Sequence, residues 1–252
     1  MAQHILGIDI GGTGIKGGVV DLADGSLVTD RFRVDTPRPA TPQAVAAAVR
    51  AISAHHSYEG TMGVAYPGII RNGIALLAAN VDASFLGVDV DALFTEVTGQ
   101  DVHVMNDGDA AAVGEMQFGA AAGEAGTVLF LGFGTGIASA LFREAILVPN
   151  MEFGHLEFKG MDAEHYCAAS ARKREGLSYE EWAGRVNEYL AHVEMLLSPD
   201  VIIFGGGVSK KWERFGHFLH TEHAQLRQAE LLNNAGIAGA AHWAHRAATA
   251  GA

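Results

Sequence analysis

An α/β fold made of two related halves is predicted by two observations. The tetrapeptide Gly12-Thr13-Gly14-Ile15 recurs as Gly134-Thr135-Gly136-Ile137, about half the 252-residue chain later, each time at a turn between two apolar segments of strand length. After each copy the chain runs through the same succession of strand-like and helix-like stretches. Repetition of a tip in the same strand–turn–strand setting argues for duplication of a structural unit.

Taken in order, Leu6–Ile10 is an apolar strand, Gly11–Gly14 a turn, Ile15–Leu22 a second strand and, past the Asp24-Gly25 turn, Ser26–Val34 a third. Thr41 as N-cap with Pro42 at the first helical position starts a helix from Gln43 to about His55, with Val45, Val49 and Ile52 on one face. Met62–Tyr66 is a short strand ending at Pro67-Gly68, Asp89–Thr98 a helix, Val102–Met105 a strand, and Asp107–Phe118 an alanine-rich helix stopped by Gly119. The second half brings strands at Thr127–Leu131, Ile137–Phe142 and Ala145–Val148. Ser178 and Glu181 form a capping box for a helix to about Leu197, with Trp182, Val186, Tyr189, Val193 and Leu196 on its buried side. Val201–Phe204 is an apolar strand, Gly205–Gly207 a turn, Ser209 a cap for the helix beyond, and Asn233–Ala248 a closing helix.

A formal charge of −12 argues against a general nucleic-acid or anionic-membrane surface, so any polyanion needs a local cluster of cations. Cys167 is the only cysteine, which excludes an intrachain disulfide and a multi-cysteine zinc site. The chain enters a strand without a basic-then-apolar leader and has no bilayer-length apolar run, so a cytoplasmic location is expected.

The first tip has the chemistry of a phosphate cradle. Gly11, Gly12 and Gly14 let backbone N–H groups approach an anion, Thr13 adds a hydroxyl, Lys16 a cation, and Asp9 a carboxylate for Mg²⁺, directly or through water. Gly12 to Gly17 also fits G-x-G-x-x-G, but a strand follows where a dinucleotide fold needs a helix, and no Gly-Lys-Ser/Thr closes a Walker loop. Gly134, Thr135 and Gly136 repeat the cradle.

Asn106-Asp107 stands where a strand meets a helix, the position at which α/β sheets gather ligands. Asp107 is a candidate base for a hydroxyl attacking phosphorus, with Asn106 bonding a neighbouring hydroxyl; the plain alternative is that Asp107 or Asp109 caps the helix. Glu152, His155 and Glu164 suit a polyol, a surface loop being the alternative. Gly206 and Gly207, followed by Lys210, read as an anion site at a helix start or as a tight turn. With only 17 Lys and Arg in the chain, the run Arg172, Lys173, Arg174 is either a phosphate path or a solvated face. His217, His220 and His223, spaced by three, read as surface or core histidines before a metal site.

In this order, Asp9 to Lys16, Asn80 to Asp82, Asn106-Asp107, Leu131 to Gly136, Glu152 to His155 and Gly205 to Lys210 resemble the ROK (repressor, ORF, kinase) family over nearly the whole chain. The resemblance is strongest to its polyphosphate-using glucokinase and glucomannokinase branch. It implies an actin/hexokinase-like (ribonuclease H-like) fold of duplicated βββαβα halves closing on a cleft. One lobe would span 1–107 with a closing helix at about 236–252, the other 108–235. Asp107 would be the base, and Asn80, Gly68, Asn106, Glu152, His155 and Glu164 would bind glucose, with mannose a second acceptor. The two Gly-Thr tips would hold the phosphoryl of polyphosphate or ATP with Mg²⁺, on a monomer or homodimer. Alternatives within the family are a strictly ATP-dependent glucokinase and a non-catalytic sugar sensor. DNA-reading members need a helix-turn-helix ahead of the first hairpin, and only eight residues precede Asp9.

Three departures from the family pattern stand out. Only Cys167 follows the Gly-His pair, so no zinc is expected and His155 must be oriented by another group. Gly14 replaces the lysine that many ATP-using members carry. Arg143-Glu144-Ala145 stands in place of an Asp-Gly hairpin turn.

Overall fold

Two five-stranded sheets carry the chain, and they are wound in the same order. The computed structural model describes residues 3–250; positions 1–2 and 251–252 of the expected lobes lie outside the described residues. The first sheet begins with β1 (His4–Ile10), β2 (Gly14–Asp21) and β3 (Phe32–Asp35), followed by α1 (Pro42–His55) and β4 (Met62–Tyr66). A small hairpin, β5 (Ile70–Arg71) with β6 (Ile74–Ala75), precedes α2 (Val90–Thr98), β7 (Val102–Asn106) and α3 (Asp107–Phe118). The second sheet begins with β8 (Thr127–Phe133), β9 (Ile137–Arg143) and β10 (Ile146–Val148). The hairpin β11 (Glu157–Phe158)/β12 (Met161–Asp162), α4 (Ala163–Cys167), α5 (Ala169–Glu175) and α6 (Tyr179–Leu197) follow, then β13 (Val201–Gly205), β14 (Gln225–Gln228) and α7 (Ala235–Ala250). Strand orders are β3-β2-β1-β4-β7 and β10-β9-β8-β13-β14, antiparallel over the first three strands and parallel over the rest. This is the duplicated α/β scheme anticipated from the repeated tip.

By internal contacts the chain divides into one unit of residues 3–118 with 234–250 and another of 119–233. The division falls after Phe118, whereas the expected lobe boundary was at 107, because α3 packs against α7 within the first unit. In that unit Leu6, Ile8, Met62 and Val64 face Val45, Val49, Ile52 and Phe94 in one core. On the opposite face α7 lies directly on the sheet. A Cβ on Gly7 would sit 2.0 Å from the Ile237 carbonyl oxygen, and one on its register partner Gly63 1.9 Å from that of Ala240. Only glycine permits so close an approach of helix to strand.

The second unit has its own core, in which Phe133 stacks on Phe204 at 4.4 Å beneath Trp182, Tyr189 and Phe215. The capping box at Ser178 forms, and Trp182, Val186, Tyr189 and Val193 are buried. Leu196 is not: it is 50% exposed, because the stripe continues at Leu197, the next position on the same face.

Other local expectations are corrected. The third strand begins at Phe32, not Ser26; Asp24–Gly25 forms its turn, and Leu27 makes only an isolated bridge to Val20. Ser209 does not cap a helix. Its hydroxyl donates to the Gly206 carbonyl (2.7 Å), and Gly207–Arg214 is a 3₁₀ segment broken at Lys211, drawn in by Trp212 packing on Phe204 and Phe215. The three spaced histidines do not share a helix, since the chain leaves its 3₁₀ turn at Phe218. The turn after β9 is a two-residue hairpin loop even without Asp-Gly: Glu144 and Ala145 both take the left-handed conformation (φ 53° and 59°), as that loop demands. Among the described residues no helix is long and apolar enough to cross a membrane.

Candidate active site

The candidate side chains form two groups, one in each unit. In the first, β1 and β2 end in the glycine tip, closed by the Gly11 amide donating to the Gly14 carbonyl (3.1 Å). Gly12 and Thr13 are exposed at its end. The tip is braced from its third strand: the Thr36 hydroxyl donates to the Gly11 carbonyl, and Arg33 Nη2 donates to the Thr13 carbonyl (2.6 Å). Asp9 and Lys16 are directly cross-strand and form an ion pair of 2.9 Å, both partly buried. The first turn of α7 lies beside this pair, with the Cβ position of Gly236 3.1 Å from Asp9 Oδ2.

Asn106 and Asp107 occupy the junction of β7 and α3. Asn106 is buried and both ends of its amide are engaged: Oδ1 accepts from the Asp109 amide (2.8 Å) and Nδ2 donates to the Gly68 carbonyl (3.0 Å). Asn106 thus caps α3 and ties it to the Pro67-Gly68 turn. Asp107 is half-buried in the first turn of the helix, where Oδ1 accepts from the Gly108 amide (2.8 Å). Gly68 must lack a side chain because a Cβ there would meet the Leu77 carbonyl at 2.0 Å. Asn80, in the left-handed region (φ 62°), packs against Gly12, so it adjoins the glycine tip.

In the second unit the tip Gly134-Thr135-Gly136 is closed by the Gly134 amide on the Gly136 carbonyl (2.9 Å) and braced by Ser170, whose hydroxyl donates to the Thr135 carbonyl (2.6 Å). Glu164 lies against Gly136, its Oε2 accepting from the Ile137 amide (3.1 Å). The Glu152–His155 turn is held by Ser139, which donates to the Met151 carbonyl (2.6 Å) and accepts from the Phe153 amide (2.8 Å). Burial pushes the Glu152 carboxyl above the usual range, with Glu164 adding to the shift and His155 opposing it. His155 Nδ1 lies 2.8 Å from Asp162 Oδ2. That hydrogen bond raises the imidazole above its ordinary value and leaves Nε2 for a ligand. Asp162 is the orienting group that the sequence required without identifying it.

A cavity of about 480 Å³ adjoins the second tip, lined by Gly134, Thr135, Arg172, Lys173, Gly207 and Lys211 among others. The basic run is divided by its helix. Arg172 stacks on Tyr179 at 4.1 Å and donates to the Leu177 carbonyl, Lys173 lines the cavity, and Arg174 turns to the His165 carbonyl and Glu175. Lys211 lines the cavity; its neighbour Lys210 is exposed and does not. Gly206 (φ 83°) allows the turn to lie against the Phe133 carbonyl, 2.3 Å from its Cβ position. Cys167 is buried, and among the described residues no group of three or more His, Cys, Asp or Glu is arranged to hold a metal ion.

A search of protein families matches the ROK family over residues 5–172. The polyphosphate glucokinase of Mycobacterium tuberculosis is 42% identical over 240 residues, covering 95% of this chain and 90% of that protein. The crystal structure of the inorganic polyphosphate/ATP-glucomannokinase of Arthrobacter sp. strain KM superposes with a TM-score of 0.91 at 47% identity, covering 97% of this chain and 99% of that one. A ROK family glucokinase from Streptomyces griseus, in complex with glucose and AMPPNP, gives 0.78 at 26% identity, covering 97% and 100%.

Proposed function

This chain belongs to the ROK family, and on that premise we infer that it is a hexose kinase moving the terminal phosphoryl of inorganic polyphosphate to the 6-hydroxyl of glucose. The fold supports this, as do the 42% identity to a polyphosphate glucokinase and the 47% identity to a glucomannokinase that uses polyphosphate or ATP. We propose ATP as a second donor and mannose as a second acceptor on the same grounds.

The single observation that carries the mechanism is the placing of Asp107 at the N-terminus of α3, with its neighbour Asn106 locked between Asp109 and Gly68. Asp107 accepts the proton of the 6-hydroxyl as its oxygen forms a bond to phosphorus. The bond from that phosphorus to the next bridging oxygen breaks, and polyphosphate leaves one unit shorter. Glu152, His155 and Glu164 take the remaining hydroxyls, with His155 Nε2 held in position by Asp162. Fixed planar groups of this kind discriminate strongly among polyols, because a wrong sugar leaves buried polar atoms unpaired. In this reading, N–H groups of the Gly-Thr tips and the ammonium of Lys16 would offset the charge that spreads over the transferred group.

The residues present fit Mg²⁺ that arrives with the phosphate chain rather than a site made wholly of protein. Asp9 offers one carboxylate already balanced by Lys16, which suits a cation that keeps its waters and takes most other ligands from phosphate. Bound there, Mg²⁺ would neutralise phosphate charge.

The test is glucose 6-phosphate formation by the purified chain with long-chain polyphosphate, with ATP, and with neither. Product from polyphosphate in ATP-free buffer is the expected result. Product from ATP alone would make the chain a strictly ATP-dependent kinase, and none from either would refute a catalytic role.

A further inference from the structure

The row of side chains leading to the first glycine tip contains a residue the mechanism has not used. Asp9, Lys16 and Arg33 are direct partners on adjacent strands, and Gly14 and Asp35 pair two residues nearer the tip, the next pair on the same face. Arg33 leans across to that next pair. Its guanidinium lies flat on Gly14: a Cβ built there would be 2.2 Å from Nε and 2.5 Å from both Cζ and Nη2. Nη2 donates to the Thr13 carbonyl (2.6 Å) and Nη1 to Asp35 Oδ1 (2.6 Å).

We propose that Arg33 is a donor-binding residue, its guanidinium folded over Gly14 to place a cation at the tip of the first hairpin against the phosphate chain. Three observations carry this. First, Gly14 and Arg33 fit as a pair: any side chain at 14 would expel the guanidinium from its seat. Second, Lys16 and Arg33 are like charges directly cross-strand, an unfavourable pairing by itself, which sets two cations side by side, each with one carboxylate partner, Asp9 and Asp35. Third, the Lys16–Asp9 pair is partly buried, whereas Arg33, paired with Asp35, is 51% exposed beside the exposed Gly12 and Thr13. Its two hydrogen bonds engage only part of the guanidinium's set of N–H donors, leaving others for phosphate oxygens, which a guanidinium binds by paired hydrogen bonds. An exposed Arg–Asp pair alone adds little to stability, so folding energy does not account for the arrangement.

The proposal rests on polyphosphate as the donor, and its test separates the two. Arg33→Ala, Arg33→Lys and Arg33→Gln are assayed for the KM of long-chain polyphosphate at saturating glucose, for the KM of glucose, and for the dependence of the donor KM on salt. Arg33→Ala should raise the polyphosphate KM about tenfold or more, leave the glucose KM within about twofold, and flatten the salt dependence as a phosphate contact is lost. Arg33→Lys should recover part of the donor KM and the salt dependence; Arg33→Gln should recover neither. A donor KM unchanged in Arg33→Ala, or donor and glucose KM rising together in all three variants, would overturn the assignment. If Arg33→Ala does not fold, the contrast between Arg33→Lys and Arg33→Gln decides. Wild-type chain inactive with polyphosphate would instead remove the functional reading on which the proposal stands.

Discussion

His155 Nδ1 and Asp162 Oδ2 lie 2.8 Å apart, joining the end of the Glu152–His155 turn to the start of α4. The bond fixes which imidazole nitrogen remains for a ligand and orients the ring from a carboxylate on the neighbouring element.

Because Asp162 raises the imidazole, with Glu164, Asp162 and Glu152 adding negative charge around it, His155 keeps its proton to a higher pH than a free histidine. The stabilisation from this pair is fully present below the ordinary imidazole value and is lost as pH rises through the raised one. Asp162→Asn should lower the His155 titration midpoint, read by NMR of the ring, and raise the glucose KM about tenfold while the donor KM stays unchanged. An unmoved midpoint would show that Asp162 does not orient the ring.

His242 on α7 behaves in the opposite sense. Burial, with Arg246 and His245 nearby, lowers it from 6.5 to about 4. Between those values the unfolded chain binds more protons than the folded one, so stability falls as pH drops from 6.5 toward 4. His242→Gln should remove about 2 kcal/mol of that acid sensitivity, measured as the difference in urea-unfolding free energy between neutral and acid buffer. Equal pH slopes in variant and parent would contradict this.

Much of this molecule was legible in the sequence because its signals are local. The Thr41-Pro42 start, the Ser178–Glu181 capping box and the two Gly-Thr tips are spelled out within a few neighbouring residues. What was missed depends on distant partners. β14 is a polar edge strand, Gln225–Gln228, held by its pairing with β13 and by Arg227 bonds to Ala120 and Glu124, residues far away in sequence. Asp162 meets His155, and Lys211 meets the cavity beside the second tip, only through folding, and Gly7 and Gly63 are explained only once α7 is seen on the sheet.

That packing gives a stability prediction. Gly63→Ala sets a methyl against the Ala240 carbonyl, where backbone rather than a flexible side chain must yield. It should cost about 3 kcal/mol, seen as a lowered urea midpoint with an unchanged slope. Gly87→Ala, with open space around its Cβ position but φ at 82°, should cost only about 1 kcal/mol. Similar losses at both sites would show that contact with α7 is not what demands glycine at 63.

Glu164 serves both the second tip and the polar group around Glu152. Glu164→Gln keeps an acceptor for the Ile137 amide but removes the charge. The glucose KM should rise about three- to tenfold with little change in the unfolding midpoint. A large loss of stability would make Glu164 a brace for the tip alone.

The most direct measurement is the single-turnover rate of phosphoryl transfer from polyphosphate to glucose in Asp107→Asn. Asparagine keeps the shape and can still accept from the Gly108 amide, but it cannot take a proton. The rate should fall by about 10²–10⁴-fold with glucose affinity nearly unchanged; a rate within about threefold of the parent would mean that the proton goes elsewhere and that Asp107 is only part of the helix start.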